Sequence, residues 1–327
     1  MCDEIPCEEY HIAMSVETGD EMTRFPTELA SRLCEGSCCR CCMEDERRFP
    51  AGGLEMVRNE LPIITRSRLF RDLRELGVST GQTVMLHVSV RAIGWIEGGP
   101  DVVLQSLFDV LGPKGTLMMY VGWEDAPDEK WPEDRQQAYL EECSPFDPAT
   151  SRGNRHYSIL AEYLRRWPSA FRSNHPEASI VSVGALAQWI TENHPLQYPY
   201  GAGSPLAKLC EVGGKVLLLG APLNTITLLH YAENMAKVPN KRIIRYKVPV
   251  LLNGKRVRIE IEDFDTSRGI VGNAEEYFQT IVRDYLSSGK GHSGNVGAAQ
   301  SYLFDAPDLA RFAIQWLEKS FGDSGIG

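Results

Sequence analysis

The spacing of hydrophobic residues along the chain predicts alternating strands and helices. Residues 216–219 are an apolar run long enough for a buried strand, and Gly220-Ala221-Pro222 ends it. Beyond this break, Asn224 and Thr225 are predicted N-caps of a helix whose apolar residues recur at helical spacing up to Ala236. A helix that begins at the carboxyl end of a strand is a common ligand site in open α/β sheets, because its first-turn amides are free donors.

Similar patterns occur on both sides of this segment. Thr65 is the predicted N-cap of a helix that ends at Gly77, Ser204 caps another, and Asn253-Gly254 is a strong hairpin signal. The remaining predicted elements are strands at 82–88, 116–121, 179–183, 244–252 and 255–261, helices at 101–111, 159–166, 185–192, 275–287 and 309–321, and a Gly-rich loop at 289–297. This alternation predicts one α/β domain whose sheet is covered by helices.

Residues 122–157 interrupt the alternation as a long polar segment. A connection of this length is commonly a substrate-binding insertion or a lid. It carries Trp123, Trp131 and Tyr139 among nine carboxylates, including Asp125 and Asp147. Rings and carboxylates together are typical of sites for polycationic ligands, and a solvated acidic loop is an equally good interpretation.

The first 55 residues differ in composition from the rest. They carry 13 acidic residues and 5 arginines in a chain of net charge −10, which leaves the remainder nearly neutral. They also hold seven of the nine cysteines, but the cluster at 34–42 has no separate second ligand pair, which disfavours zinc. We expect residues 1–55 to be a poorly ordered acidic leader and residues 56–327 to form the folded domain.

Several functional classes are disfavoured. A nearly neutral body without a basic stripe argues against nucleic acid, and no apolar run approaches the ~20 residues of a membrane helix. The N-terminus has no signal-peptide core, so we expect a cytoplasmic protein. No phosphate-loop or dinucleotide fingerprint supports ATP or NAD, and no HxH or HExxH spacing supports a metal.

Two histidines and a pair of aspartates stand out chemically. His230 and Glu233 lie three residues apart, which puts them on one face of the predicted helix. The alternative is a core histidine beside a solvated glutamate. His175 precedes a proline and therefore lies at a turn, where a structural role is the commoner one. Asp263 and Asp265 are carboxylates at a strand end, and the sequence leaves open which of them faces a site.

Five segments resemble the aminoglycoside 3-N-acetyltransferase family, which differs in fold from the GCN5-type acetyltransferases. They are LHVSVRAIGWIEGG (86–99), PFDPAT (145–150), RSNHPEAS (172–179), GSPLAKL (203–209) and KVLLLGAPLNTITLLHYAENMAKVPNKR (215–242). They occur in the family's order within residues 56–321. The resemblance implies the antibiotic N-acetyltransferase fold, with a central mixed sheet flanked by helices. It also implies transfer of an acetyl group from acetyl-coenzyme A to the 3-amino group of a 2-deoxystreptamine aminoglycoside such as gentamicin, and hence antibiotic resistance.

The resemblance also implies roles for individual residues. The substrate amine is protonated near neutral pH, so a base must release its lone pair, and His230 fits that role with Glu233 as its orienting carboxylate. Thr225, Thr227 or first-turn amides would stabilise the oxyanion. His175 is the rival base and is otherwise counted with the substrate-binding residues.

Ligand-binding residues follow from the same resemblance. Coenzyme A is expected at the loop that leaves the first strand, and the activated acetyl group requires no metal. The expected coenzyme A residues are Ser89, Arg91, Gly94 and Ser204. The expected aminoglycoside residues are Asp125, Asp147, His175, Asp263 and Asp265, with Glu233 also able to contact the substrate.

Three alternatives remain. The chain could be a non-catalytic module that sequesters cationic ligands, a metal-dependent hydrolase, or an acetyltransferase for another amine. The hydrolase would use His87, His175, His230 and Asp265. We expect a monomer or a homodimer.

Overall fold

The fold is built on one mixed β-sheet. The computed structural model describes residues 62–127, 131–266, 268–270 and 274–322, so the predicted leader at 1–55 and its cysteine cluster lie outside the described residues. The strands are β1 (Thr83–Val88), β2 (Thr116–Tyr120), β3 (Phe171–Arg172), β4 (Ile180–Gly184), β5 (Lys215–Leu219), β6 (Ile243–Leu252), β7 (Lys255–Phe264), β8 (His292–Val296) and β9 (Ala299–Asp305). Seven of them form a sheet in the order β3-β4-β2-β1-β5-β9-β8, whereas β6 and β7 form a separate hairpin.

The centre of the sheet is parallel and its margins are antiparallel. β1 pairs in parallel with β2 and β5, and β4 and β9 add antiparallel strands on either side. Alternate residues of β1 enter different cores: Leu86 belongs to the core on one face and Met85 to the core on the other. Both faces are therefore covered, as the apolar strand pattern predicts.

Helices supply these two covers. They are α1 (Arg66–Leu76), α2 (Val90–Ile93), α3 (Asp101–Leu111), α4 (Glu133–Glu142), α5 (Ile159–Arg165), α6 (Ala187–Thr191), α7 (Pro205–Glu211), α8 (Leu228–Met235), α9 (Ala274–Ser287) and α10 (Ala306–Phe321). Helices α1, α3 and α5 contribute to the first core, and α7 to α10 to the second. None of the helices in the described ranges combines the length and the apolar character needed to cross a bilayer.

Local sequence signals account for several element ends. Thr65 caps α1 by accepting from the Arg68 amide at 3.3 Å. Asn253 and Gly254 have φ of 50° and 73°, the left-handed pair that a two-residue hairpin requires. These boundaries were predictable because each depends on a residue's own backbone preference.

The prediction of a Gly-rich loop at 289–297 is wrong. Its central part is strand β8, which pairs antiparallel with β9, a strand the sequence pattern also did not reveal. Within β8 only Val296 is buried, so β8 lacks the apolar alternation that marks a strand. The glycines Gly291 and Gly297, with φ of 79° and 62°, instead bound it.

The start of the central helix also differs from the prediction. Leu223–Thr225 forms a short 3₁₀ turn, and α8 begins after Thr227 rather than after Asn224 or Thr225. The Thr225 hydroxyl donates to the Pro222 carbonyl at 2.7 Å, which closes this turn. The chain from β5 to α8 is thereby lengthened by one tight turn.

The insertion packs against the β6–β7 hairpin. Trp123 and Phe146 are buried in a third core together with hairpin residues, and the Phe146 amide donates to Pro249 O at 2.9 Å. Trp123 is therefore a core residue. At the base of the insertion, the Arg172 guanidinium donates to the carbonyls of Gly122 and Ser151. Both ends of this segment are thus held to the edge of the sheet, while α4 has no buried residue.

Candidate active site

His230 and Glu233 form a hydrogen-bonded pair on α8. The His230 Nδ1 atom lies 2.7 Å from Glu233 Oε2. The glutamate is fully buried, whereas the imidazole retains some exposure. With Nδ1–H donating to the carboxylate, the Nε2 lone pair of His230 is left to accept a proton. The i,i+3 spacing therefore produces the base-and-orienter arrangement that nucleophilic chemistry requires.

Glu233 has a second side-chain partner. The Tyr277 hydroxyl, on α9, donates to Glu233 Oε1 and accepts from the Ile270 amide at 3.2 Å. Burial and the neighbouring Glu233 raise the pKa of Tyr277, which keeps the phenol protonated as a donor. Each oxygen of the buried carboxylate therefore has its own donor.

An aromatic wall holds the imidazole of His230. Its ring lies 5.1 Å from that of Tyr200 and 5.0 Å from that of Phe278. The Tyr200 hydroxyl donates to the Tyr120 hydroxyl at 3.4 Å, and the Tyr120 ring packs edge-on against Tyr157 at 4.7 Å. Tyr157 lines a cavity, so this row of rings connects the cavity to the histidine.

That cavity has a volume of about 640 Å³ and lies between the insertion and the hairpin. Its walls include Glu177, Tyr246, Glu133 and Glu260. Two basic residues, Arg245 and Lys247, also line it. The cavity is large enough for a small polycyclic ligand, and its carboxylates suit a cationic one.

A further carboxylate, Asp263 on β7, interacts with the cavity residue Glu177 and with Glu233, and we call these three carboxyl groups the acidic wall. Asp263 is 4% exposed, and burial raises the pKa of its carboxyl to about 8. The hydrogen bond that its Oδ1 accepts from the Phe264 amide at 2.8 Å lowers this pKa, but by less. The charges of Glu177 and Glu233 raise this pKa further. Asp263 therefore interacts with carboxyl groups from two other segments, an arrangement that suits a bound cation.

Asp265 lies elsewhere, although it is only two residues away. It is 1% exposed and forms an ion pair with Arg242, and its Oδ1 accepts from the Arg268 amide at 3.1 Å. Asp263 on β7 thus interacts with Glu177 and Glu233, whereas Asp265, just beyond the end of β7, is held in an ion pair at the end of the hairpin.

His175 is enclosed in the protein. It is fully buried, its Nδ1 accepts from the Ala178 amide at 2.8 Å, and its Nε2 lies 3.3 Å from Leu196 O. Burial and the nearby His194 hold the pKa of His175 well below its usual value. With both nitrogens engaged by the backbone, its geometry is that of a structural residue.

The two predicted oxyanion donors differ in position. Thr225 is exposed and its hydroxyl already donates to Pro222, as described above. Thr227 is buried at the N-cap of α8 and makes no capping bond with its side chain, one turn before His230. Of the two, Thr227 is therefore closer to the base and has an uncommitted hydroxyl at the helix terminus.

The predicted coenzyme A residues lie at the carboxyl end of β1. Ser89 precedes the short helix α2, Arg91 is exposed on it, and Gly94 follows it with φ of 105°. A Cβ at Gly220 would lie 2.4 Å from the Cβ of Ala92, so only glycine lets the end of β5 approach this loop. Ser204 is apart from them: it is fully buried and caps α7 by accepting from the Ala207 amide at 3.1 Å.

The two insertion carboxylates are engaged differently. Asp125 is exposed, with Arg152 4.0 Å away. Asp147 closes its own turn by accepting from the Ala149 amide at 3.0 Å and the Thr150 hydroxyl at 2.8 Å. Asp125 is therefore the one with a carboxylate open to solvent.

Sequence reasoning missed Glu177, Tyr200 and Tyr277. Glu177 stands inside the RSNHPEAS segment, so its motif was recognised although its carboxylate was not singled out. The tyrosines have no local signal, because long-range packing alone brings them to α8. Among the described residues, no group of three or more histidine, cysteine and acidic side chains is arranged to hold a metal ion.

Comparison with known proteins identifies the family. Residues 85–318 match the family model for aminoglycoside 3-N-acetyltransferase. Aminoglycoside N(3)-acetyltransferase III of Pseudomonas aeruginosa is 51% identical over 263 residues, which cover 80% of this chain and 96% of that protein.

Two solved structures extend the comparison. AAC-IIIb in binary complex with CoASH is 45% identical, with a TM-score of 0.75 over 81% of this chain and 100% of that one. AAC-VIa bound to sisomicin is 35% identical, with a TM-score of 0.76 over 80% and 99%. The fold is thus that of a group of acyltransferases. The chain belongs to the aminoglycoside 3-N-acetyltransferase family, which confirms the predicted family, fold class and type of enzyme.

Proposed function

We propose that this enzyme transfers the acetyl group of acetyl-coenzyme A to the 3-amino group of 2-deoxystreptamine aminoglycosides of the gentamicin type, thereby conferring resistance. The observation that carries the proposal is the His230–Glu233 pair, placed beside an acidic wall that suits a polycation. A sequestering module would need the acidic wall but not a base with an orienting carboxylate. The paired histidine therefore favours catalysis over simple binding.

In the proposed reaction, His230 Nε2 removes a proton from the substrate ammonium. The freed nitrogen lone pair attacks the thioester carbonyl carbon, and Thr227 or nearby amides stabilise the resulting oxyanion. The C–S bond then breaks, and the sulfur leaves as a thiolate that takes the proton from His230. The nitrogen, which became positively charged on attack, releases its second proton to solvent as the acetamide forms. Glu233 stabilises the imidazolium between the two proton transfers at His230.

Glu177 and Asp263 are the proposed ammonium partners, with Asp125 at the outer margin. AAC-VIa, a relative, has been solved with sisomicin, which supports an aminoglycoside in the cavity. Binding would place a positive charge beside Asp263, whose pKa is raised by burial and further by Glu177 and Glu233, so it would favour the ionised form of that carboxyl. Asp147 and Asp265 are already engaged within the protein and are weaker candidates.

Coenzyme A is proposed to bind at the loop containing Ser89, Arg91 and Gly94. The exposed Arg91 is available for phosphate, and the solved AAC-IIIb complex with CoASH supports this cosubstrate. We also place the enzyme in the cytoplasm. Cys143 and Cys210, the cysteines of the described ranges, are free thiols, as is usual in a reducing compartment.

The test is release of coenzyme A thiol from acetyl-coenzyme A in the presence of gentamicin. His230→Ala should lower kcat by about 100 to 10,000-fold, the range expected for loss of a general base. His292→Ala, which removes an exposed histidine on β8, is the control and should retain the wild-type rate. A rate for His230→Ala within tenfold of wild type would place the base elsewhere. Gentamicin binding without any thiol release by the wild type would favour the sequestering module.

A further inference from the structure

The partner of Glu233 on its far side has no role in the mechanism so far. Tyr277 is 6% exposed, and its hydroxyl donates to Glu233 Oε1 and accepts from the Ile270 amide. Glu233 and Tyr277 are 44 residues apart in sequence. A bond between such distant elements, ending on a fully buried carboxylate, is a specific feature of the tertiary structure.

A buried carboxylate beside a histidine can adopt two states in which the histidine is not held as a base. If Glu233 rotated, it would lose His230 Nδ1. If it took up a proton, it would donate to Nδ1, and the remaining proton of the imidazole would then occupy Nε2, where the base needs its lone pair. A donor on Oε1 opposes both states, because it fixes the carboxylate plane and stabilises the ionised form.

We propose that Tyr277 is a positioning residue that keeps Glu233 ionised and aligned, so that His230 presents an unprotonated Nε2 to the substrate. This inference rests on the proposed role of His230. The direction of its effect follows from the hydrogen bond: without the Tyr277 donor, the carboxylate holds a proton more tightly. The His230–Glu233 pair should therefore take up its proton at higher pH.

Other charged groups near Glu233 leave this sign unchanged. Asp263 is close enough to interact electrostatically with it, and where Asp263 is ionised its charge also favours proton uptake by the pair. Lys241 has the opposite effect, and its Nζ donates to the Glu233 carbonyl at 2.7 Å. Both groups are present in wild type and variant alike, so the difference between them reports Tyr277.

The chain offers a matched control on the same helix. Tyr285, also on α9, is buried and donates its hydroxyl to Asp308 Oδ2 at 2.8 Å, away from His230. Tyr277→Phe and Tyr285→Phe each delete one hydroxyl bonded to one carboxylate. A general effect on folding would appear in both variants, whereas a positioning effect would appear only in Tyr277→Phe.

Kinetics and magnetic resonance give two independent tests. Tyr277→Phe should lower kcat by about 10 to 100-fold, the range for a hydrogen bond to a charged group, with little change in the gentamicin KM. The acid limb of kcat/KM should move to higher pH. The NMR titration of the His230 ring should move in the same direction, and this readout holds even if His230 is not the base.

A double-mutant cycle shows whether Tyr277 acts through Glu233. In a Glu233→Gln background, Tyr277→Phe should have less than about a threefold further effect on kcat, because there is no carboxylate left to position. Three results would overturn the proposal: full additivity in this cycle, an unchanged His230 titration in Tyr277→Phe, or equal kcat losses in Tyr277→Phe and Tyr285→Phe. If His230→Ala is active while the titration still shifts, the proposed base is wrong and the positioning contact stands.

Discussion

Replacing Asp263 with asparagine should stabilise the free protein above neutral pH while weakening aminoglycoside binding. Burial raises the pKa of this carboxyl to about 8, whereas an unfolded aspartate titrates near pH 4. Between roughly pH 4 and pH 8, the folded protein therefore holds a proton that the unfolded chain has released. Stability falls as the pH rises through this window, and the whole contribution is lost above pH 8.

The size of this effect follows from the shift. Four pH units correspond to about 5 kcal/mol of unfolding free energy, which Asp263→Asn should recover at pH 8.5 because an amide is neutral throughout. The amide oxygen can still accept from the Phe264 N–H, so the local turn is kept. For a domain of this size, the difference in melting temperature is about 10 °C.

The assay is thermal unfolding of wild type and Asp263→Asn at intervals from pH 5 to pH 9, without ligand. The two curves should be closest at pH 5, only about one unit above the pKa of the unfolded aspartate, and diverge as the pH rises. Asp265→Asn is the control: this carboxylate is also buried but is paired with Arg242, so its loss should destabilise the protein at every pH in this range. Parallel curves for wild type and Asp263→Asn would refute the reasoning.

Ligand binding supplies the second half of the same test. An ammonium group beside Asp263 favours the carboxylate, so wild type should release protons when gentamicin binds at pH 7. Calorimetry in buffers of different ionisation enthalpy measures this release. Asp263→Asn should release fewer protons and bind gentamicin at least about tenfold more weakly.

Two further predictions separate structural residues from catalytic ones. His175→Ala should lower the melting temperature, because the Ala178 amide and the Leu196 carbonyl each lose a buried partner at a cost of about 1–3 kcal/mol. The kcat per folded molecule should stay within about threefold of wild type. A loss of kcat resembling that of His230→Ala would restore His175 as the base. Ser204→Ala should lower the free energy of unfolding by about 1 kcal/mol, because the α7 cap is lost. A large rise in the KM for acetyl-coenzyme A, measured by thiol release, would instead support a role for Ser204 in cosubstrate binding.

The sequence predicted those parts of the site that depend on local spacing. His230 and Glu233 are in contact because they are three residues apart on one helix. The hairpin forms because Asn253-Gly254 adopts the backbone angles of its turn. Tyr277 reaches Glu233 only through packing of α9 against the sheet, which no local pattern encodes. Asp263 and Asp265 are two residues apart, so strand alternation does not distinguish them; they differ because β7 ends at Phe264 and Asp265, beyond it, is paired with Arg242.

The missed strands have a related cause. β8 and β9 pair at the edge of the sheet, and β8 buries too little surface to show an apolar alternation. Its identity depends on backbone bonds to β9, so composition alone reads it as a glycine-rich loop. The sequence was thus informative where a residue's own preference decides and silent where the partner strand decides.

The Arg172 contacts at the base of the insertion have an evolutionary consequence. One guanidinium holds the carbonyls of Gly122 and Ser151, so the two ends of the excursion stay together whatever the chain does between them. Helix α4 lies between these two carbonyls, has no buried residue and carries the cavity residue Glu133, so substitutions on α4 should alter the rim of the cavity and leave the buried residues around α8 in place. The range of antibiotics that the enzyme accepts can therefore change in evolution independently of the residues that carry out acetyl transfer.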